Sequence, residues 1–493
     1  MNQVTDNLPD LTLVIDIGKS HAKLLWVDDH GMVVDRRSRD NGSVQSPLAY
    51  LALDIAGLTD WMQEGLTSSS LTRRCKRVMT CTHGAAFVGL GDQGLAWDPI
   101  DYEFDGFAST SPELVQGYLR QRDEFSSTLS PDLPAGLNAA RQLYWLQHTH
   151  PIAWAKTRCL LPYPQYWAWW LSGVVSSEVS SMGCHTQLWS VKEGRYSDLA
   201  RSQGWATLFA PMKSAWQVLG QVRPQLADAM GLPRDCEVHV GVHDSNACLA
   251  RYLSSPGLTL VSSGTWTVLM APAAPVDSLQ AGRDMLGNVS VLGQPTPTAR
   301  FMGGREFSVL LDGAPADLGT KQDLQQLVQT KTFAVPAFAQ QGGPFMGQHG
   351  RLMRLGHSCE LQAITAAQRS ALAALYCAQI TAWLVQCLRP ETSAEPVAAR
   401  RLLVVEGPLA TNQLFMGVLQ SLLEGYTCMA SVDELEGTAR GAWLLSRWDG
   451  TSPAPNAPVT QSFLRAMRPV GAAGLRAYHQ VWLTLVAGLA IAA

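Results

Sequence analysis

Three short stretches carry residues whose types and order could handle a phosphate and a proton. In "LTLVIDIGKSHAKLLWV" (11–27) an apolar run ends at Asp16 and is followed by Gly18, Lys19, Ser20 and Lys23. A carboxylate there can hold Mg²⁺ through water, while turn amides and hydroxyls take phosphate oxygens. The plain alternative is a β-hairpin turn. The pattern of strand, glycine, hydroxyl and strand returns about half a chain later in "LTLVSSGTWTVLMAP" (258–272), with Gly264 and Thr265. Two such turns could clamp a polyphosphate from both sides of a cleft. In "GVHDSNACLARYL", Asp244 ends a strand and opens a helix. Its bland role is an N-cap for the first free amides. Its chemical role is a general base that takes a proton from a hydroxyl as a phosphoryl group arrives.

Other stretches match familiar patterns without the context those patterns need. "GLGDQG" (89–94) has the spacing of a dinucleotide fingerprint, but the residues after it contain Pro99 and no helical period. "GKS" at Gly18 resembles the end of a nucleotide-binding P-loop, yet Leu13 stands where that loop needs its first glycine. His239 and His243 are four apart, but "CEVHVGVHD" alternates like a strand, so they read as one strand face and not a zinc pair. "LLVVEGPLATNQ" offers a strand running into Gly407 and a helix beginning near Thr411 or Asn412, with backbone and cap groups free for a ligand edge.

The elements that must position these residues alternate along the chain. "RVMTCTHGAAFVGL" reads as strand, and "GLNAARQLYWLQHTHPIAWAK" and "PQYWAWWLSG" read as helix. After Leu258 the order repeats, with a long apolar helix in "AAQRSALAALYCAQITAWLVQCL" and a buried strand in "RRLLVVEGP". With 493 residues, two large α/β domains are expected, 1–253 and 254–493. A Pro/Ser/Gly-rich surface linker at about 449–461 would precede a terminal helix. A net charge of −4 gives no electrostatic reason to expect nucleic acid or anionic membrane. Ten scattered cysteines form no metal or disulfide framework, and the N-terminus lacks a secretory pattern, so a cytoplasmic protein with a small-molecule substrate is expected.

In order and spacing these motifs resemble the FGGY family of carbohydrate kinases, over about residues 11–448. "DIGKSHAKL" and "SSGTW" look like its two phosphate motifs, and "GVHDSNA" looks like its catalytic-aspartate motif. "VVEGPLATNQ" followed by "GTARGAWLLS" looks like its adenosine region. The resemblance implies two RNase H-like domains of the actin-like ATPase fold with a catalytic cleft between them. It also implies ATP with Mg²⁺ and transfer of the γ-phosphate to a sugar hydroxyl. It makes Asp244 the base and Asp16 the metal organiser. Gly18, Lys19 and Ser20 fall in the first phosphate turn, Gly264 and Thr265 in the second, and Gly407 beside the adenosine. "THGAA" occupies the place of sugar-contacting residues in relatives, which makes His83 a hydroxyl partner, with a structural hydrogen-bonding role as its alternative.

Three departures mark a divergent branch. Lys19 stands where many relatives have a hydroxyl residue, Glu406 and Pro408 flank Gly407, and the usual signature of the second domain is not recognisable in "ITAAQRSALAALY". A ketose, deoxyketose or polyol is the implied acceptor, and apolar helices near the C-terminus make a homodimer reasonable. The competing expectations are a sugar-binding sensor without turnover and an actin-like ATPase of chaperone or filament type.

Overall fold

The computed structural model describes residues 10–489, apart from positions 108, 110 and 340 and the segments 391–400, 433–436 and 452–461. The chain divides into two units. The first holds Met1–Ser254 together with Gly287–Pro295 and Glu436–Val459; the second holds the rest. Two stretches that the sequence assigns to the second half, 287–295 and 436–459, thus cluster with the first unit. The proposed linker falls mostly outside the described residues.

In the first unit, β1 (Leu11–Ile17) is buried at every position. Strand alternation sends Leu13, Ile15 and Ile17 into one apolar cluster and Val14 into another on the opposite face. A turn at 18–20 leads into β2 (His21–Val27), antiparallel to β1, and then into β3 (Val33–Asp40), antiparallel to β2. β3 is an edge strand, and its charged "VVDRRSRD" alternates between exposed and half-buried positions. On its other side β1 runs parallel to β4 (Cys75–Thr82). The sheet continues with β5 (Val218–Gln221), β6 (Glu237–His239) and β7 (Val242–His243). β6 and β7 both lie parallel to β4, and β5 is antiparallel to β6. Helix α1 (Ile55–Thr67) is started by Asp54, whose carboxylate accepts the Gly57 amide, and it buries Leu58, Met62 and Leu66. Helix α2 (Tyr163–Ser172) stops at Gly173, which takes the left-handed conformation at φ 84°. Helix α3 (Asp244–Ala250) follows β7 directly.

The second unit repeats the strand plan. β8 (Thr259–Ser263) and β9 (Thr267–Met270) form an antiparallel hairpin, and β10 (Pro295–Phe301) is antiparallel to β9. β8 also runs parallel to β11 (Arg401–Glu406), which is parallel to β12 (Tyr426–Ser431), and β13 (Leu464–Ala466) is antiparallel to β12. The order β3-β2-β1-β4-β6-β5 is therefore matched, strand for strand and direction for direction, by β10-β9-β8-β11-β12-β13. That repetition is the structural content of the sequence echo.

Helix α4 (Gly303–Leu311) follows β10. Helix α5 (Ala366–Leu388), opened by a capping box of Thr365 and Gln368, is long and apolar enough to cross a membrane, yet most of it is buried inside the unit. Helices α6 (Pro408–Thr411) and α7 (Gln413–Leu422) follow β11, and Asn412 caps α7 by accepting the Phe415 amide at 2.8 Å.

Helix α8 (Gly437–Arg447) belongs to the first unit. Its Ala439, Ala442, Trp443 and Leu445 join Val14, Leu25, Met79, Cys81, Val242 and Ala247 in one buried cluster. "GTARGAWLLS", likened by sequence to an adenosine region, thus completes the core beneath α3. The last described helix, α9 (Leu475–Ala487), buries Tyr478, His479 and Trp482.

Candidate active site

The first turn is tight. The Gly18 amide donates to the His21 carbonyl at 2.9 Å, and the Asn41 side chain donates to the Gly18 carbonyl at 2.7 Å. A Cβ on Gly18 would stand 3.1 Å from the His21 oxygen. Ser20 is exposed at the tip. Lys19 does not face this turn. Its ammonium pairs with Asp101 and lies 3.2 Å from both Ser43 Oγ and Glu103 Oε2, and it sits 5.4 Å above the Tyr102 ring. Asp101 is fully buried and Lys19 only 19 % exposed, so this cation is already neutralised from the sugar-motif side. Lys19, expected in the first phosphate turn, thus directs its side chain to Asp101 and Glu103.

Asp16, the penultimate residue of β1, lies opposite Lys23, with its Oδ2 3.9 Å from the Lys23 ammonium. Two residues after Val14, it shares that residue's sheet face, where β4 contributes Cys81. Burial first, then the negative charges of Asp16 and Asp244, push the Cys81 thiol well above its ordinary range. Cys81 is the register partner of Asp16 on one side and of Val242, two residues before Asp244, on the other. Among the described residues no three His, Cys, Asp or Glu side chains converge as a metal cage.

Asp244 is the first residue of α3, and His243 takes the N-cap position without a side-chain capping bond. Asp244 does take up a first-turn amide, that of Ser245, from one position inside the helix. Its carboxylate is used unevenly. Oδ1 accepts the Ser245 amide at 2.5 Å and the Ser245 hydroxyl at 3.2 Å, and lies 3.2 Å from His243 Nε2. Oδ2 has no protein partner among the described residues, on a side chain 30 % exposed.

His83 follows β4, its amide bonded to the Ile17 carbonyl at the end of β1. Its Nδ1 donates to the Gly84 carbonyl at 2.9 Å, while Nε2 is buried without a protein partner among the described residues. Burial lowers its pKa, against the opposing pull of the Gly84 carbonyl, Asp244 and Asp101, so the ring is neutral and Nε2 keeps its lone pair. Tyr102 and Tyr163 wall the ring, each with its centroid 5.3 Å away. The site thus offers an acceptor on His83 and an acceptor on Asp244, which suits a polyhydroxylated ligand.

In the second unit Gly264 and Thr265 are exposed at the β8–β9 turn, closed by the Gly264 amide on the Trp266 carbonyl at 2.9 Å. The start of α4 packs on that turn so tightly that a Cβ on Gly304 would stand 2.3 Å from the Gly264 oxygen. Gly407 lies against the same strand. Ser263 Oγ donates to the Glu406 carbonyl at 2.5 Å and accepts the Leu409 amide at 3.0 Å. Gly407 itself has φ 80° and ψ −165°, a conformation essentially reserved for glycine. Just beyond it, Ala316, Gly319, Ser370, Asn412 and Gln413 line a small recess of about 140 Å³. The structure thus ties Gly264, Thr265 and Gly407 into one backbone cradle beside a small cavity.

The chain matches two family models: the FGGY family of carbohydrate kinases, N-terminal domain, over residues 130–250, and carbohydrate kinase FGGY, C-terminal domain, over 255–455. A solved structure of a carbohydrate kinase from Novosphingobium aromaticivorans is 31% identical, with a TM-score of 0.83 over 97% of this chain and 99% of that one. The chain belongs to the FGGY family of carbohydrate kinases. This FGGY chain has the family's two-domain, actin-like ATPase fold. A ligand-bound xylulose kinase from Lactobacillus acidophilus shares that fold at 14% identity and a TM-score of 0.72, covering 97% of each chain. The L-fuculokinase of Salmonella typhi is 25% identical over 283 residues, which are 55% of this chain and only 58% of that relative's length.

Sequence reasoning passed over several residues that the structure brings against the candidate ones. Asp101 and Tyr102 lie in a loop with no motif of its own, and only the acidic-aromatic run "DYEFD" hints at them. His243 could have been found from its position immediately before Asp244. Gly304 carries no local signal, because its need for glycine comes from a turn 40 residues earlier.

Proposed function

We propose that this protein transfers the γ-phosphoryl group of ATP to a hydroxyl of a ketose, deoxyketose or polyol, with Asp244 as general base. The observation that carries this reading is the pair of unused acceptors in the first unit, Asp244 Oδ2 and His83 Nε2. Oδ2 takes the proton of the attacking hydroxyl as its oxygen bonds to the γ-phosphorus, and ADP departs. His83 Nε2 accepts from a second hydroxyl and so orients the sugar. In the first unit the exposed Ser20 hydroxyl, and in the second the exposed Thr265 hydroxyl, are the turn groups left to meet phosphate oxygens, since the Gly18 and Gly264 amides close their own turns, and the cradle at Gly407 receives the nucleoside. Asp16 would hold Mg²⁺ through water, and the ion would neutralise charge on the phosphates. Lys19 stays with Asp101 on the sugar side and contributes only its backbone to the phosphate turn.

The test is ADP release by purified protein with Mg-ATP, scanned over D-xylulose, L-fuculose, L-rhamnulose and simple polyols. Turnover that depends on one of these acceptors is expected. ATP hydrolysis indifferent to sugar, or tight sugar binding without turnover, would replace the kinase reading with one of its competitors.

A further inference from the structure

We propose that Arg300 is the charged donor of the second phosphate turn: held through Nε by Asp284 and laid against the ring of Trp266, it offers its terminal N–H groups to the phosphates of the nucleotide. This rests on the reading of the Gly264–Thr265 turn as phosphate-binding and supplies the charge that the turn itself lacks.

The lysines of the first motif are already engaged. Lys19 faces Asp101, Glu103 and Ser43, and Lys23 lies 3.9 Å from Asp16. The second motif, "SSGTW", has no basic residue of its own. With the Gly264 amide closing the turn, a polyphosphate there would meet only the exposed Thr265 hydroxyl. A neutral hydroxyl is a weak match for a multiply charged anion.

Strand pairing brings a charged donor from outside the motif. β10 is antiparallel to β9 with Arg300 opposite Val268, two residues beyond Trp266. The Arg300 guanidinium carbon lies 4.9 Å from the centre of the Trp266 ring. That ring directly follows Thr265 and is 37 % exposed. Its other boundary is Gly342, where a Cβ would stand 2.2 Å from the ring at a φ of 75°. Arg300 Nε donates to Asp284 Oδ1 at 2.8 Å, and the other oxygen of this buried carboxylate accepts the Gly343 amide at 2.8 Å. Oδ2 is thus committed elsewhere, and Asp284 does not close the two-point fork common to Arg–carboxylate pairs. A guanidinium has five N–H donors, of which Asp284 takes one. The terminal nitrogens have no protein partner among the described residues, on a side chain 17 % exposed. Arg300 is therefore fixed at its root and stacked on its face, with its N–H edges free, the form in which arginine suits phosphate.

The test is equilibrium binding of Mg-ATP and of adenosine by calorimetry, on wild type, Arg300→Met and Arg300→Lys. Arg300→Met should weaken Mg-ATP by about 10- to 100-fold, the scale of lost charge-assisted hydrogen bonds, and leave adenosine within about twofold. Arg300→Lys keeps a charge without the planar fork and should fall between the two. A charge that meets phosphate also makes binding sensitive to salt, so added KCl should weaken Mg-ATP less in Arg300→Met than in wild type. A merely structural Arg300, needed only to hold Trp266 and the Gly343 loop, would leave that salt dependence unchanged. If both variants keep the wild-type preference for ATP over adenosine, Arg300 is overturned and the phosphate turn stands. Equal losses for the two ligands, or an unaltered salt dependence, overturn it as well. Should Arg300→Met not fold, the ATP-to-adenosine ratio of Arg300→Lys decides alone. A wild type that binds Mg-ATP no more tightly than adenosine overturns the phosphate-turn reading and this inference with it.

Discussion

Gly441 and Ala247 meet backbone to backbone: a Cβ on Gly441 would stand 1.8 Å from the Ala247 carbonyl oxygen. Helix α8 therefore lies directly on the helix that begins with Asp244, and the fit leaves no room for even a methyl group. In an ordinary helix interior, glycine to alanine gains roughly 0.5–1 kcal/mol. Here the sign should reverse. Gly441→Ala is expected to lose about 3 kcal/mol, the upper end of over-packing costs, in urea unfolding. A stabilised Gly441→Ala would mean that the two helices part easily.

Lys19→Met tests what the ammonium is for. It strands the buried Asp101 carboxylate, which keeps the Ser43 hydroxyl and the Glu103 amide but loses its cation. Because Tyr102, next in the chain, walls His83, the KM for sugar should rise about tenfold while the KM for ATP changes little. A rise confined to ATP would return Lys19 to the phosphates.

Gly407→Ala should do the reverse. Its φ of 80° is costly for alanine, and the added Cβ would lie 1.9 Å from the Ser263 carbonyl. The nucleotide cradle must open, so the KM for ATP should increase by about tenfold or more and the sugar KM should not. Equal effects on both substrates would separate Gly407 from the nucleotide.

A pH dependence follows from Glu178, which is buried and caps the short helix Val179–Met182 by accepting the Ser180 and Ser181 amides. Burial, only partly countered by those bonds, raises its carboxyl from 4.5 to about 7. The folded chain thus holds this proton more tightly than the unfolded one. The stability it contributes is full below about pH 4.5 and is lost as pH rises through about 7, a difference of about 3 kcal/mol. Between pH 5 and pH 8 the drop in urea-unfolding stability should be smaller by about 2 to 3 kcal/mol in Glu178→Gln, part of the loss having already occurred at pH 5. Identical drops in the two proteins would remove Glu178 as the cause.

Much of the site is legible in the sequence because its parts are local. A hairpin turn announces itself by glycine and hydroxyl between two apolar strands, and both turns at Gly18 and Gly264 take that form. Asp244 is visible where strand changes to helix, and Asn412 where the next helix is capped. What stays hidden is set by separation along the chain. Lys19 finds Asp101 82 residues away. Its charge suggests phosphate until the buried carboxylate is seen. The place of α8 is invisible for the same reason: its apolar stripe says that it is buried, but not against which sheet.

That return of the chain bears on how the protein is made. On the ribosome, Asp16, His83 and Asp244 all emerge before residue 250, yet the apolar face beneath α3 lacks Ala439, Ala442, Trp443 and Leu445 until residue 445 has been synthesised. The first unit cannot close as an independent module as it leaves the tunnel. Its nascent form exposes that face and invites chaperones or aggregation. A premature stop before codon 437 would therefore leave Asp16, His83 and Asp244 present and the core beneath α3 open.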